Sequence, residues 1–251
     1  MARGTGAAAR GKSNANHMTT KAMHNPIIVA LDVESAAEAR EMIARIGPRV
    51  NFYKVGLELY AASGMEVVKE LLGQGKQVFL DLKMYDIPET VSRAVAQVAK
   101  TGVTFLTVHA VSSVMRAAVA AREGSKLRIL GVTVLTSFGP EDMDDLGYDG
   151  TVGELVERRA NKAAELGVDG VVASPLEAAS VRRIVGPRVA IVTPGVRSAG
   201  VDAGDQKRIA TPAQAMLDGA DYLVIGRQIT RAKDPAAAVD QVLMEIATAL
   251  V

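Results

Sequence analysis

A chain of 251 residues with 29 basic and 28 acidic side chains, net charge +1, has no global field to gather nucleic acid or an anionic membrane, so any anion site must be local. The absence of cysteine excludes disulfides, thiolate metal sites and a cysteine nucleophile, which fits a reducing cytoplasmic location, and no apolar run approaches the roughly 18 residues of a membrane span. Apolar residues make up 49% and aromatics 4%, which points to an aliphatic core rather than aromatic stacks and suits parallel strands buried on both faces.

The opening stretch MARGTGAAARGKSNANHMTT is small, polar and basic and lacks the apolar segment of a secretory signal. Its Asn16-His17-Met18 is what a cloning junction leaves, so residues 1–24 are expected to be a leader and 25–251 one catalytic domain. From Pro26 onward, short β-branched runs alternate with segments of helical period. Strands are predicted at 26–33, 51–59, 77–83, 104–110, 127–135, 170–174, 189–195 and 221–226. Amphipathic helices are predicted between them, for example at 35–46, 64–72, 88–100 and 235–250, several opened by Ser or Pro. Eight βα units with right-handed crossovers close most economically into a (β/α)8 barrel, an open doubly wound sheet being the alternative. Two long Gly/Asp-rich connections, 137–150 and 196–211, are candidate lids.

Reactive side chains of such a barrel sit at the C-terminal ends of its strands. Those ends carry Asp32, Lys54, Asp81 and Lys83, with Asp86 in the loop after the third strand. Strand period places Asp81 and Lys83 on one side, Leu82 on the other. Any one of these charges could be a structural ion pair, but burying several of both signs costs several kcal/mol per unpaired ion and reads as a preorganised electrostatic device. Asp81 and Asp86 have Lys83 two and three residues away, which argues against a tightly held cation, and no metal site is expected.

A second cluster, Thr193-Pro194-Gly195-Val196-Arg197 and Ile225-Gly226-Arg227, falls after the seventh and eighth strands, the usual phosphate corner of these barrels. Glycine permits close approach to phosphate oxygens, a helix start offers N–H groups, and Arg227 can add a bidentate contact. Gln206, in the long loop, could fold over the same ligand. His109 at the end of strand four is more simply a hydrogen-bonded residue of the barrel mouth than a general base. Thr136 and Ser137 end strand five with hydroxyls, and Ser137 has no His-Asp partner to make it a nucleophile.

These residues resemble the orotidine 5′-monophosphate decarboxylase family, over a stretch running from Ile27 almost to the C-terminus. The resemblance rests on Asp81-Leu82-Lys83-Met84-Tyr85-Asp86-Ile87-Pro88, flanked in order by Ala30-Leu31-Asp32, Lys54-Val55-Gly56, Thr107-Val108-His109-Ala110, Val134-Leu135-Thr136-Ser137, the Thr193 and Ile225 segments and Gly204-Asp205-Gln206. It implies a cofactor-free decarboxylase of orotidine 5′-monophosphate that works as a homodimer with shared active sites. Lys54, Asp81, Lys83 and Asp86 would form a charged tetrad, Asp86 coming from the neighbouring subunit and Lys83 donating the proton. Asp32 and Lys54 would bind the ribose hydroxyls, and Thr136 and Ser137 the pyrimidine region. Arg197, Gln206, Gly226 and Arg227 would surround the phosphate, with Ile87, Thr90 and Pro194 completing the substrate-binding set. Glu89 stands where bacterial members usually have Asn, which puts the local intersubunit contacts in question. The competing expectations are a magnesium-dependent sugar-phosphate decarboxylase or aldolase of the same superfamily, and a barrel that binds a phosphate ligand without turnover.

Overall fold

The computed structural model describes residues 25–200 and 210–250; the expected leader and Gln206 lie outside the described residues. Eight parallel strands, β1 (Ile27–Ala30), β2 (Phe52–Val55), β3 (Gln77–Met84), β4 (Phe105–His109), β5 (Arg128–Val132), β6 (Gly170–Val172), β7 (Ala190–Pro194) and β8 (Tyr222–Ile225), pair in chain order. The last strand returns to the first, with Ile27 opposite Leu223 and Val29 opposite Ile225, so the sheet is a closed barrel and the open doubly wound alternative falls.

The helices are α1 (Ala36–Ile46), α2 (Leu57–Gly73), α3 (Pro88–Val98), α4 (Ser112–Ala121), α5 (Pro140–Asp145), α6 (Val152–Glu165), α7 (Ala178–Val185), α8 (Pro212–Leu217), α9 (Arg227–Thr230) and α10 (Pro235–Ala249). Their starts follow local chemistry. The Ser35 hydroxyl accepts the Glu38 N–H at 3.2 Å, Thr151 and Glu154 cap each other's backbone groups at the head of α6, and Asp234 accepts the Ala237 N–H ahead of α10, where Pro235 takes the first turn. No described helix is long and apolar enough to cross a membrane.

β1 and β5 stop at Ala30 and Val132, three residues short of the expected ends, so Thr136 and Ser137 lie in the loop after β5 rather than at its end, and the second unit departs further. The run Leu57-Glu58-Leu59 alternates like a strand, yet β2 stops at Val55 and Gly56, still extended, is the N-cap of α2, which starts at Leu57; Leu57 is 60% exposed while Leu59 is fully buried. Gly64, at φ 56 and ψ −145, breaks α2 into two helical pieces, and only the second is legible in the sequence. The 137–150 connection also contains the short α5.

Two cores are stacked radially. One lies between strands and helices and is aliphatic. The other fills the barrel with inward residues spaced two apart, among them Ile28, Ala30, Leu130, Val132, Val172, Val192 and Val224. Here the expectation of a core without aromatic packing is corrected. Phe52, Phe79, Phe105 and Tyr222 meet inside the barrel at centroid distances of 5.1 to 6.0 Å, mostly edge to face. Four of the nine aromatics of the chain thus meet inside the barrel.

Candidate active site

The charges of the barrel mouth occupy the same alternation that buries the aromatic layer below. Lys54 follows Phe52 by two residues on β2, Asp81 follows Phe79 on β3, and Thr107 and His109 follow Phe105 on β4; Asp32 stands two residues past Ala30 of β1. Lys54, 8% exposed, donates through Nζ to Asp32 Oδ1 at 2.7 Å and lies 3.9 Å from Asp81 Oδ2. Lys83 Nζ donates to that same Oδ2 at 2.8 Å. Asp32, Lys54, Asp81 and Lys83 therefore form one chain of alternating sign, and the mutual attraction offsets much of the cost of removing Lys54 and Asp81 from water.

The expected shared face of Asp81 and Lys83 is present, but regular strand period is not its cause. Leu80 pairs with Leu106 and Met84 with Val108, so three residues of β3 face the single Thr107 of β4. Within this bulge Lys83 has φ 47, the only positive φ of a non-glycine residue among those described. Gly56 has a matching steric role: a Cβ there would stand 2.8 Å from Lys54 Nζ and 3.1 Å from Asp32 Oδ1, so the ion pair occupies the space a side chain would take.

Two adjoining cavities open on this chain of charges. The inner, about 190 Å³, is lined by Lys54, Asp81, Lys83, Leu135, Thr136 and Pro194 over a floor of Phe79, Val132, Val172 and Val224. The outer, about 550 Å³, is lined by Asp32, Lys54, Pro194, Gly195, Arg197, Gly226 and Arg227, with Glu34, Glu38, Glu58 and Arg231 also on its walls. Lys54 and Pro194 belong to both, so a ligand with an apolar ring, a polar middle and an anionic end can span them. Gly195 sits at φ 78, a conformation glycine adopts without strain.

A clamp that sequence spacing does not disclose braces the outer cavity. The Ser198 N–H donates to Gln228 Oε1 at 3.1 Å, Gln228 Nε2 donates to Ser198 Oγ at 2.7 Å, and Ser198 Oγ donates to Glu245 Oε2 at 2.7 Å. The neighbours of Arg197 and Arg227 are thereby tied to each other and to α10. The stem of the long loop is closed beneath them by a bridge between Val196 and Ala210.

Other expected residues lie apart. Ser137 is not among the residues that line the inner cavity, whereas Thr136 is. Asp86, Ile87 and Glu89 are exposed and Thr90 partly so, outside both cavities; the Asp86 carboxylate accepts the Ile87 N–H at 2.6 Å and makes no ion pair among the described residues. His109 stacks obliquely on Tyr85 at 5.5 Å. Burial pushes its imidazole below the ordinary value, helped by Arg159 and Lys83 and opposed by Asp81. Among the described residues no three His, Asp or Glu side chains converge in a way that could hold a metal ion.

Comparison with known proteins places this geometry in a lineage. Residues 25–242 match the model of the orotidine 5′-phosphate decarboxylase / HUMPS family. A protein of Bradyrhizobium sp. (strain ORS 278) named orotidine 5′-phosphate decarboxylase is 53% identical over 224 residues, which is 89% of this chain and 92% of the relative. One of the same name from Rhodopseudomonas palustris (strain ATCC BAA-98 / CGA009) is 52% identical, over 89% of this chain and 94% of its own. The crystal structure of orotidine 5′-phosphate decarboxylase from Lactobacillus acidophilus superposes with a TM-score of 0.78 at 36% identity, covering 89% of this chain and 99% of that one. Fold, site and sequence agree, and the chain belongs to the orotidine 5′-phosphate decarboxylase / HUMPS family.

Proposed function

We propose that the chain decarboxylates orotidine 5′-monophosphate to uridine 5′-monophosphate and CO2, with no metal or organic cofactor. Breaking the C6–carboxylate bond leaves an electron pair on C6 with no adjacent carbonyl to accept it, so the protein itself must stabilise the charge. Lys83 is the proton donor. Its ammonium lies where the pair develops, gives a proton to C6 and regains one from solvent, while Asp81 holds the ammonium in place. The single observation that carries this assignment is the alternating chain from Asp32 to Lys83, whose free end opens on the apolar inner cavity.

The outer cavity fits the rest of the nucleotide. Asp32 and Lys54 are suited to the ribose hydroxyls, and Pro194, Arg197, Gly226 and Arg227 to the phosphate. Thr136 would meet the pyrimidine. Gln206 and Ser137 would join on closure of the two long loops, so that phosphate binding, remote from the broken bond, helps organise the charged set. Asp86 would act on the Lys83 of a second copy in a homodimer, with Ile87 and Thr90 reaching the same shared site. Supporting this are the exposure of Tyr85 (68%) and Ile87 (66%) beside Asp86, and the lack of any Asp86–Lys83 contact within one chain. A cation held at Asp81 would have to displace Thr107 from Oδ1 or the two lysines near Oδ2, which favours the metal-independent reading of this carboxylate.

Lys83→Ala tests the assignment. Turnover of orotidine 5′-monophosphate is expected to fall below detection while uridine 5′-monophosphate still binds in calorimetry, because its ribose and phosphate contacts persist. Retained turnover in that variant would show the donor to be another group.

A further inference from the structure

We propose that Thr107 is the positioning residue of the reaction, setting both the backbone of Lys83 and the orientation of Asp81 through one hydroxyl; the proposal rests on Lys83 being the proton donor. Thr107 is fully buried, and its Oγ1 accepts the Lys83 N–H at 2.9 Å while donating to Asp81 Oδ1 at 2.8 Å. Neither bond belongs to the regular ladder. Three residues of β3 face Thr107 alone, so the Lys83 N–H loses its place in the strand pairing and the Thr107 side chain serves as its acceptor. This contact anchors the left-handed backbone of Lys83, a conformation a lysine keeps only when its surroundings impose it.

The second bond sorts the two oxygens of Asp81. With Oδ1 taken by the hydroxyl proton, Oδ2 is left to receive Lys83 at 2.8 Å and to face Lys54 at 3.9 Å. The terminal torsion of an aspartate is broad and roughly two-fold, so without this contact the carboxylate can turn and move the ammonium away from the inner cavity. One atom that both accepts and donates is needed, which a hydroxyl provides and a methyl does not. The branched Cβ of threonine restricts χ1 and holds that hydroxyl in line. The flanking residues of β4 offer no substitute, since Leu106 and Val108 are aliphatic and pack into the core between strands and helices.

The test is steady-state decarboxylation by wild type, Thr107→Val, Thr107→Ser and Lys83→Ala, with uridine 5′-monophosphate affinity and melting temperature measured for each. Thr107→Val keeps the shape and removes the hydroxyl. Its kcat is expected to fall roughly 10- to 100-fold, the usual consequence of misplacing a reacting group, with KM and product affinity changed less than about threefold. Thr107→Ser, which restores the hydroxyl, is expected to recover most of that loss. The proposal is overturned if Thr107→Val keeps wild-type kcat, if its defect lies in KM, or if serine is as impaired as valine at equal melting temperature. Should valine fail to fold, Thr107→Ala against Thr107→Ser makes the same comparison: a kcat loss in alanine that serine recovers supports the proposal, and equal kcat in the two overturns it. Turnover by Lys83→Ala would instead refute the donor assignment, separately from anything seen at Thr107.

Discussion

Asp81 carries two cations on one oxygen, which makes the charged residues of the mouth a coupled unit rather than four independent groups. Lys54, Asp81 and Lys83 are legible in the sequence because each ends a strand and ionic residues at a barrel mouth need a reason. The roles of Thr107 and Gly56 are not. One depends on a bulge and the other on where a neighbouring ammonium lies, and neither is encoded in residue spacing. His109 supplies a pH dependence. Its native pKa lies below the ordinary 6.5, so as the pH falls the unfolded chain takes up the proton first. The stability contributed by a neutral His109 is thus present above the unfolded value and is lost as pH falls through that value toward the native one. His109→Gln is expected to lose less melting temperature than wild type between about pH 7.5 and pH 5.5, and equal losses would mean that this imidazole is not the group responsible. At the proposed phosphate end, Arg227→Ala is expected to lower kcat/KM roughly 10- to 100-fold, from about 1.5–3 kcal/mol for hydrogen bonds to a charged group. An unchanged kcat/KM would remove Arg227 from the phosphate site.

The β2–α2 junction shows how an element boundary positions chemistry. Had β2 run on through Leu57 and Leu59, as their alternation suggests, Gly56 would lie inside a strand; instead it caps the start of α2 and leaves room for Lys54 to reach Asp32. Gly56→Ala is therefore expected to displace a flexible ammonium rather than unfold the barrel, giving a soluble protein with a near-native circular dichroism spectrum and kcat/KM at least about tenfold lower. Near-wild-type kcat/KM would mean that the Asp32–Lys54 pair is dispensable. Element identity is legible almost throughout, since β-branched runs and capped amphipathic segments differ in period. Alternation misleads where a helix begins with one exposed and one buried leucine, and composition conceals the aromatic layer because a low overall content says nothing of where it is concentrated. The clamp of Ser198, Gln228 and Glu245 joins residues far apart in the chain, a contact visible only once β7, α9 and α10 are adjacent.

Closure of β8 onto β1 brings residues from positions 32 to 227 around one mouth, which is why motifs scattered along the chain at successive strand ends describe a single site. A single chain leaves that site short of one carboxylate if Asp86 belongs to it, because this Asp86 is exposed and outside both cavities. Mixing Lys83→Ala and Asp86→Ala chains provides the test: each is expected to be nearly inactive alone, while random reassortment restores about a quarter of the sites in a symmetric dimer. Failure of the mixture to regain activity, with subunit exchange shown independently, would oppose a shared site. The most direct measurement for the whole molecule is the turnover of orotidine 5′-monophosphate by purified protein treated with EDTA, followed by absorbance and by product analysis. Equimolar uridine 5′-monophosphate and CO2, formed at an undiminished rate and not by Lys83→Ala, are the expected result. An absolute requirement for added magnesium, or no uridine 5′-monophosphate at all, would contradict it.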